Sequence, residues 1–164
     1  MPQRAGRTAR RLALCVVAVC WLAGGVAGTA PAQDRASLET EDRTALLVAQ
    51  MIARVRSVDS PEIRVAYAQS LRMVIRYLSA EGRLESIDDS HIDEMAELLE
   101  DESDALRGVV AGALGHLGPR AARAEPALEE ALRKVDAMRR ALPIQPQADS
   151  RQTVKWALRK IAAP

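Results

Sequence analysis

Apolar residues recur at intervals of three and four along most of the chain after residue 42, which is the spacing of one buried helical face. No stretch alternates strictly between apolar and polar residues, as a half-buried strand would. The pattern therefore predicts an all-α fold. The helices are expected at about 43–57, 61–79, 91–100, 103–117, 126–139 and 149–162.

Residues with capping preferences stand at the expected helix ends. Ser60 precedes a proline, which is typical of a cap and a first turn, and Ser103 is placed to cap the fourth helix. Ser90 and Asp93 have the spacing of a capping box before the third helix. Gly118 is expected to end the fourth helix.

Three of the expected helices share one pattern, which is an arginine followed at fixed intervals by a small residue, a leucine and an aliphatic residue. The successive arginines are 43 and 44 residues apart. A near-constant period of this length is typical of stacked helical hairpins. The pattern comprises Arg64, Ser70, Leu71 and Val74; then Arg107, Ala113, Leu114 and Leu117; and then Arg151, Ala157, Leu158 and Ile161.

The segment DESDALRGVVAGALGHLGP, which begins at Asp101, resembles the second helix of a HEAT-type repeat. It is most similar to the short repeats first described in phycobilisome lyases, and AARAEPAL, one residue further on, resembles the start of the next repeat. In that family a turn aspartate and a second-helix arginine bond between neighbouring repeats, a role that the resemblance assigns to Asp101 and Arg107. The resemblance covers about 43–162 and is strongest over 98–132.

The resemblance implies a short α-solenoid of about three helical hairpins over 43–164, interrupted by a proline-containing insertion within 133–148. Stacked hairpins of this kind complete their apolar core against one another. The small residues at 111, 112, 113 and 115 are expected to let neighbouring helices approach closely.

The first 32 residues have a different character. Four arginines precede an uncharged apolar run over 12–26, and Ala-Pro-Ala follows, ending at Ala32. This order is typical of a signal peptide with its cleavage site. We expect a signal peptide over 1–32, a polar tether over 33–42, and export to the periplasm or the cell exterior. The alternative is an uncleaved segment that anchors the protein to the inner membrane.

Removal of the signal peptide changes the composition. The chain of 164 residues has 23 basic and 22 acidic residues, two cysteines and no phenylalanine. Both cysteines and four basic residues lie within 1–32, so 19 basic and 22 acidic residues and no thiol remain. The predicted mature chain therefore excludes disulfides and cysteine nucleophiles. It is also not a strongly basic nucleic-acid binder.

Charge is unevenly distributed along this mature chain. Residues 81–104 contain eleven acids and one base, whereas 105–164 contain eleven bases and five acids. One interpretation is an ordinary solvated surface. The other is a surface that binds charged partners or pairs with a second copy.

No sequence pattern indicates catalysis or a bound cofactor. His91 and His116 are the only histidines, neither has a partner at metal-ligand spacing, and no phosphate-binding loop or nucleophile elbow is present. His116 lies two residues beyond Leu114, off the apolar face, so we expect it at the surface. We expect no enzymatic activity and no cofactor.

The expected function is that of an exported, non-catalytic protein-interaction module, a scaffold or adaptor. Trp156 stands where the other two units have Gln69 and Gly112, off the main apolar stripe, so it either contacts a partner or covers the end of the stack. The alternatives are an accessory factor in cofactor attachment, as the lyase resemblance implies, and a self-assembling structural envelope protein. The candidate contact residues are Trp156, Lys155, Arg159, Arg120 and Arg123.

Overall fold

The computed structural model describes residues 32–141 and 150–163, with side chains from residue 43 onward. These ranges contain α-helices and two 3₁₀ segments and no strand, so the all-α prediction is confirmed. Residues 1–31 of the predicted signal peptide lie outside the described residues, as do residues 142–149, which include both prolines of the predicted insertion. The helices are α1 (Ala32–Ser57), α2 (Pro61–Ala80), α3 (Asp89–Glu97), α4 (Asp104–Leu117), α5 (Glu125–Ala141) and α6 (Ser150–Ile161), with 3₁₀ segments at Leu98–Glu100 and Gly118–Ala124.

Three of the predicted helix ends are confirmed. The Ser60 hydroxyl accepts a hydrogen bond from the backbone N–H of Ile63 at 3.4 Å, and the Ser103 hydroxyl accepts one from Leu106 at 3.3 Å. Gly118 ends α4 with a φ of 58°, a conformation that glycine adopts without strain.

The start of α3 differs from the prediction, and the capping box assigned to Ser90 and Asp93 is wrong. Asp88 is the cap, because its Oδ1 accepts a hydrogen bond from the backbone N–H of His91 at 3.1 Å. The Nδ1 of His91 in turn accepts from the backbone N–H of Asp88 at 3.3 Å, which completes the box. The Ser90 hydroxyl donates to Asp88 at 2.7 Å.

The first helix also begins earlier than predicted. The backbone of 33–42, which we expected to be a polar tether, is helical from Ala32 onward. Half of these ten residues are alanine, leucine, arginine or glutamate, which have high helix propensity, so polarity alone did not end the helix.

The helices α2, α4 and α6 form a row. α4 is the central helix of this row, since it packs against both α2 and α6. The leucines of the repeated pattern point into the core: Leu71 and Leu114 are buried, and Leu158 of the last helix is partly buried. Val48, Ile52 and Val55 of α1 belong to the same core. The even-numbered helices therefore lie side by side, although they are distant in sequence.

Candidate functional site

The arginines of the repeated pattern bond near the ends of the helices, and one of them, Arg64, links successive helix pairs. The Nε of Arg64 in α2 donates to the carbonyl of Val55 at 3.1 Å, and its guanidinium pairs with the carboxylate of Asp101. The Nε of Arg107 in α4 donates to the carbonyl of Leu99 at 3.4 Å, and its Nη2 donates to the carbonyl of Asp101 at 2.8 Å. Asp101 therefore binds arginines from the first and second helix pairs.

A second carboxylate continues the chain of bonds towards α6. Asp104 pairs with Arg107 at 2.9 Å. It also accepts hydrogen bonds from the hydroxyl of Ser150 at 2.5 Å and from its backbone N–H at 3.1 Å. The third arginine of the pattern, Arg151, donates instead to Asp136 of α5 at 2.6 Å, and this hydrogen bond lowers the pKa of Asp136.

Two of the predicted contact residues have partners within the chain. The guanidinium of Arg123 pairs with Asp89 and, at 2.7 Å, with Asp93 of α3. The Nη2 of Arg120 donates to the carbonyl of Ile87 at 2.8 Å. We call residues 81–104 the acidic block, and five of its eleven acids pair with arginines of the same chain. We call Arg64 and Arg107, whose carboxylate partners are partly buried, the paired arginines.

Two glycines of α4 lie close to side chains of different helices. A Cβ at Gly112 would lie 2.9 Å from the Nε of Arg72, whose flexible side chain extends over the helix from α2. A Cβ at Gly115 would clash with the indole of Trp156, with Cε3 only 2.7 Å away. The expected close approach of helices is confirmed at Gly115, where a Cβ would lie 3.0 Å from the Cα of Ala157. The absence of a side chain at Gly115 also lets the ring of Trp156 lie against α4.

Trp156 contacts a histidine beside this glycine. The rings of His116 and Trp156 meet edge to face, with centroids 5.1 Å apart and an interplanar angle of 69°. We expected His116 at the surface. It is instead half-buried, because the indole of Trp156 covers it. Its Nε2 is buried and has no hydrogen-bond partner among the described residues.

Three cations surround this ring pair. Burial lowers the pKa of His116, and the positive charges of Arg72, Arg76 and Lys160 lower it further. In the part of the chain that the structure describes, none of these three cations forms an ion pair or donates a hydrogen bond. We call the surface of Arg72, Arg76, His116, Trp156 and Lys160 the cationic face.

The cationic face includes Trp156 from the predicted contact residues and adds four that the sequence did not single out. Lys155 and Arg159 lie on α6 beside Trp156, whereas Arg120 and Arg123 bond to the segment around α3. Arg72, Arg76, His116 and Lys160 come from three helices. No local sequence signal connects them, because only packing brings these helices together.

Within the described residues, no group of histidine, cysteine, aspartate and glutamate side chains has the geometry to hold a metal ion. Nor does any helix within 32–141 or 150–163 combine the length and the apolar character needed to cross a membrane. Comparison with protein-family models, with curated proteins and with solved structures found no match to this chain.

Proposed function

We propose that this protein is an exported, non-catalytic interaction module, built as a short HEAT-like solenoid of three helical hairpins. The observation that favours this proposal most is the row of α2, α4 and α6, in which α4 contacts both neighbours. The ion pair of Arg64 with Asp101 joins the first and second hairpins, a kind of bond that the family resemblance implies. A row of this kind presents a broad, rigid surface on which a protein partner can bind.

Export is part of the proposal and has its own test. The arginines, apolar run and Ala-Pro-Ala sequence of the first 32 residues support cleavage after Ala32. The full chain would be expressed in a bacterium, and the mass of the protein would be measured in the periplasmic and membrane fractions. We expect a periplasmic protein that begins at Gln33. A full-length product retained in the membrane would favour the anchored alternative instead.

The interaction itself is tested by capture of partners from an envelope extract. Tagged wild-type protein would be compared with Trp156→Ala, with Met138→Ala as the matched control, because Met138 is an exposed apolar residue of α5. Each captured protein would be identified, purified and bound again in isolation. We expect at least one partner that the wild type and the control bind and that Trp156→Ala binds weakly. The absence of any partner that binds again in isolation would contradict the proposed function.

Self-assembly through the opposite charge blocks is a weaker proposal. Asp89, Asp93, Asp101 and Asp104 of the acidic block already pair with arginines of the same chain. Fewer acids are therefore available to a second copy. Measurement of the molar mass at low and at high salt distinguishes the two cases, since association through charges weakens as salt is added.

A further inference from the structure

The cationic face combines charges from helices that are far apart in sequence. Arg72 and Arg76 are one helical turn apart on α2, and Trp156 and Lys160 are one turn apart on α6. His116 of α4 lies between them, in contact with Trp156 and close enough to the three cations for their charges to act on its ring. The five residues therefore lie near one another on three packed helices.

The charges of this face have no counterpart within the described residues. Elsewhere, Arg56, Arg64, Arg107 and Arg123 each pair with a carboxylate of the chain. The like charges of Arg72, Arg76 and Lys160 repel one another, and a bound anion would relieve that repulsion. This arrangement favours a negatively charged ligand.

An aromatic ring lies within the cationic face. Trp156 is only partly buried, so part of its ring remains accessible. Tryptophan, tyrosine and arginine are the residues most enriched where protein partners bind tightly. The ligand is therefore expected to contain apolar groups as well as negative charges.

We propose that the cationic face binds an acidic peptide segment of the partner protein, with carboxylates beside Arg72, Arg76 and Lys160 and an apolar side chain against Trp156. This inference rests on the proposed function and specifies its partner. Packed helices lie about 8–10 Å apart, so the row from α2 to α6 spans roughly 20 Å. An extended peptide of about six residues covers that distance.

The number and distribution of charges favour a peptide over a nucleic acid. Proteins that bind duplex DNA commonly contact about 6–10 phosphates, whereas three cations form this face. The predicted mature chain also has more acidic than basic residues, which would repel a long polyanion. A segment with two or three carboxylates matches the charge of the face.

The test is a titration of the protein, expressed with its own N-terminal segment, against fluorescent peptides of about eight residues. One peptide has two glutamates and one aspartate around a central leucine in an otherwise uncharged sequence, and the other has glutamine and asparagine in place of those three acids. Fluorescence anisotropy gives the affinity. We expect the acidic peptide to bind and the neutral one to bind at least about tenfold more weakly, with the difference falling as salt is raised from about 0.05 M to about 0.5 M.

Charge variants locate the binding surface. Arg72→Gln/Arg76→Gln is expected to weaken binding of the acidic peptide by about tenfold or more. Arg133→Gln/Lys134→Gln removes the same charge from the exposed surface of α5 and is expected to leave the affinity within about twofold. A Trp21→Phe background leaves Trp156 as the only tryptophan, and its emission is expected to shift when the acidic peptide binds. Circular dichroism confirms that each variant is folded.

Several results would overturn the inference. These are equal binding of the acidic and neutral peptides, equal weakening in the two double variants, and no binding at low salt. Tighter binding to an oligonucleotide or to vesicles of phosphatidylglycerol, lost in Arg72→Gln/Arg76→Gln, would assign the face to another class of ligand. A captured partner that binds Arg72→Gln/Arg76→Gln as well as wild type would contradict this inference while leaving the proposed function intact.

Discussion

The paired arginines and the cationic face place the same kind of charge in two different settings. Arg64 and Arg107 are held by Asp101 and by carbonyls at the ends of preceding helices. Arg72 and Arg76 lie only a few residues further along α2 than Arg64, yet no carboxylate within the described residues pairs with them. The identity of a residue therefore says little about its role, whereas its partners distinguish a structural arginine from one available for binding.

The paired arginines are therefore expected to affect the stability of the fold, and the cationic face is expected to affect binding. A guanidinium with a partly buried carboxylate stabilises the fold, because removal of either partner leaves the other desolvated and unpaired. A cluster of exposed like charges does the opposite and costs stability until a ligand neutralises it. Substitutions in the two regions are therefore expected to have separate effects.

The largest expected effect comes from Asp101→Ala. Asp101 is 15% exposed and Arg64 is 24% exposed, and Asp101 also accepts a hydrogen bond from the backbone N–H of Ser103 at 2.8 Å. Its removal leaves Arg64 partly buried without a carboxylate. We expect a loss of about 2 kcal/mol in the free energy of unfolding, measured by urea denaturation.

The matched control for Asp101 is Glu97→Ala, which breaks the exposed pair of Glu97 with Arg56. Exposed pairs contribute little, so a loss below about 1 kcal/mol is expected. Equal losses in the two variants would show that the bond between Asp101 and Arg64 does not hold neighbouring helix pairs together.

The next largest effects on stability are expected from alanine substitutions at Gly112 and Gly115 of α4, which lie close to different neighbouring helices. Gly115→Ala is expected to lower the free energy of unfolding by about 1 kcal/mol, because the rigid ring of Trp156 must move. Gly112→Ala meets the flexible side chain of Arg72 instead, and alanine favours the helix by about 1 kcal/mol over glycine. We therefore expect Gly112→Ala to be neutral or stabilising. The same sign for both substitutions would contradict the packing described for Trp156.

The smallest expected effect is a change in the titration of His116. The cation of Arg76 helps to lower the pKa of this ring, so Arg76→Ala is expected to raise the pKa towards its ordinary value. NMR titration of the imidazole measures it. Arg133→Ala on α5 is the control and is expected to leave the pKa of His116 unchanged. An unchanged pKa in Arg76→Ala would place Arg76 away from the ring.

The lowered pKa of His116 also predicts the direction of a pH effect on stability. The unfolded chain binds a proton at the ordinary histidine pKa of about 6.5, whereas the folded chain binds it only at lower pH. The stability that neutral His116 contributes is therefore fully present above the pKa of the unfolded chain, and it is lost as the pH falls through the pKa of the folded chain. In His116→Gln, the free energy of unfolding is expected to decline less between about pH 7 and pH 5. An equal decline in the variant and the wild type would contradict this assignment.

Local chemistry is the part of this fold that the sequence predicts. Ser60, Ser103 and Gly118 mark helix ends because a cap involves only a few neighbouring residues. The capping box of α3 is the exception. The sequence spacing is compatible with a capping box of Ser90 and Asp93, whereas in the structure Asp88 and His91 form the box. Several polar residues compete there, and spacing alone does not choose among them.

The cationic face is the part that the sequence does not predict. His116 lies off the apolar stripe of its own helix, which correctly places it outside the main core. Its partial burial depends on Trp156, a residue of another helix that reaches it because Gly115 has no side chain. Charges from α2 and α6 then meet at a ring of α4. Residues so distant in sequence become neighbours only through packing.

The central claim is that the cations around His116 do not contribute to the stability of the fold, whereas the paired arginines do. Its most direct test is the free energy of unfolding of Arg72→Gln/Arg76→Gln/Lys160→Gln, measured by urea denaturation at low salt. Glutamine keeps part of each aliphatic stem and removes the charge. We expect no loss of stability, or a gain of a few tenths of a kcal/mol as repulsion is relieved. A loss of about 2 kcal/mol, similar to that expected for Asp101→Ala, would contradict the claim.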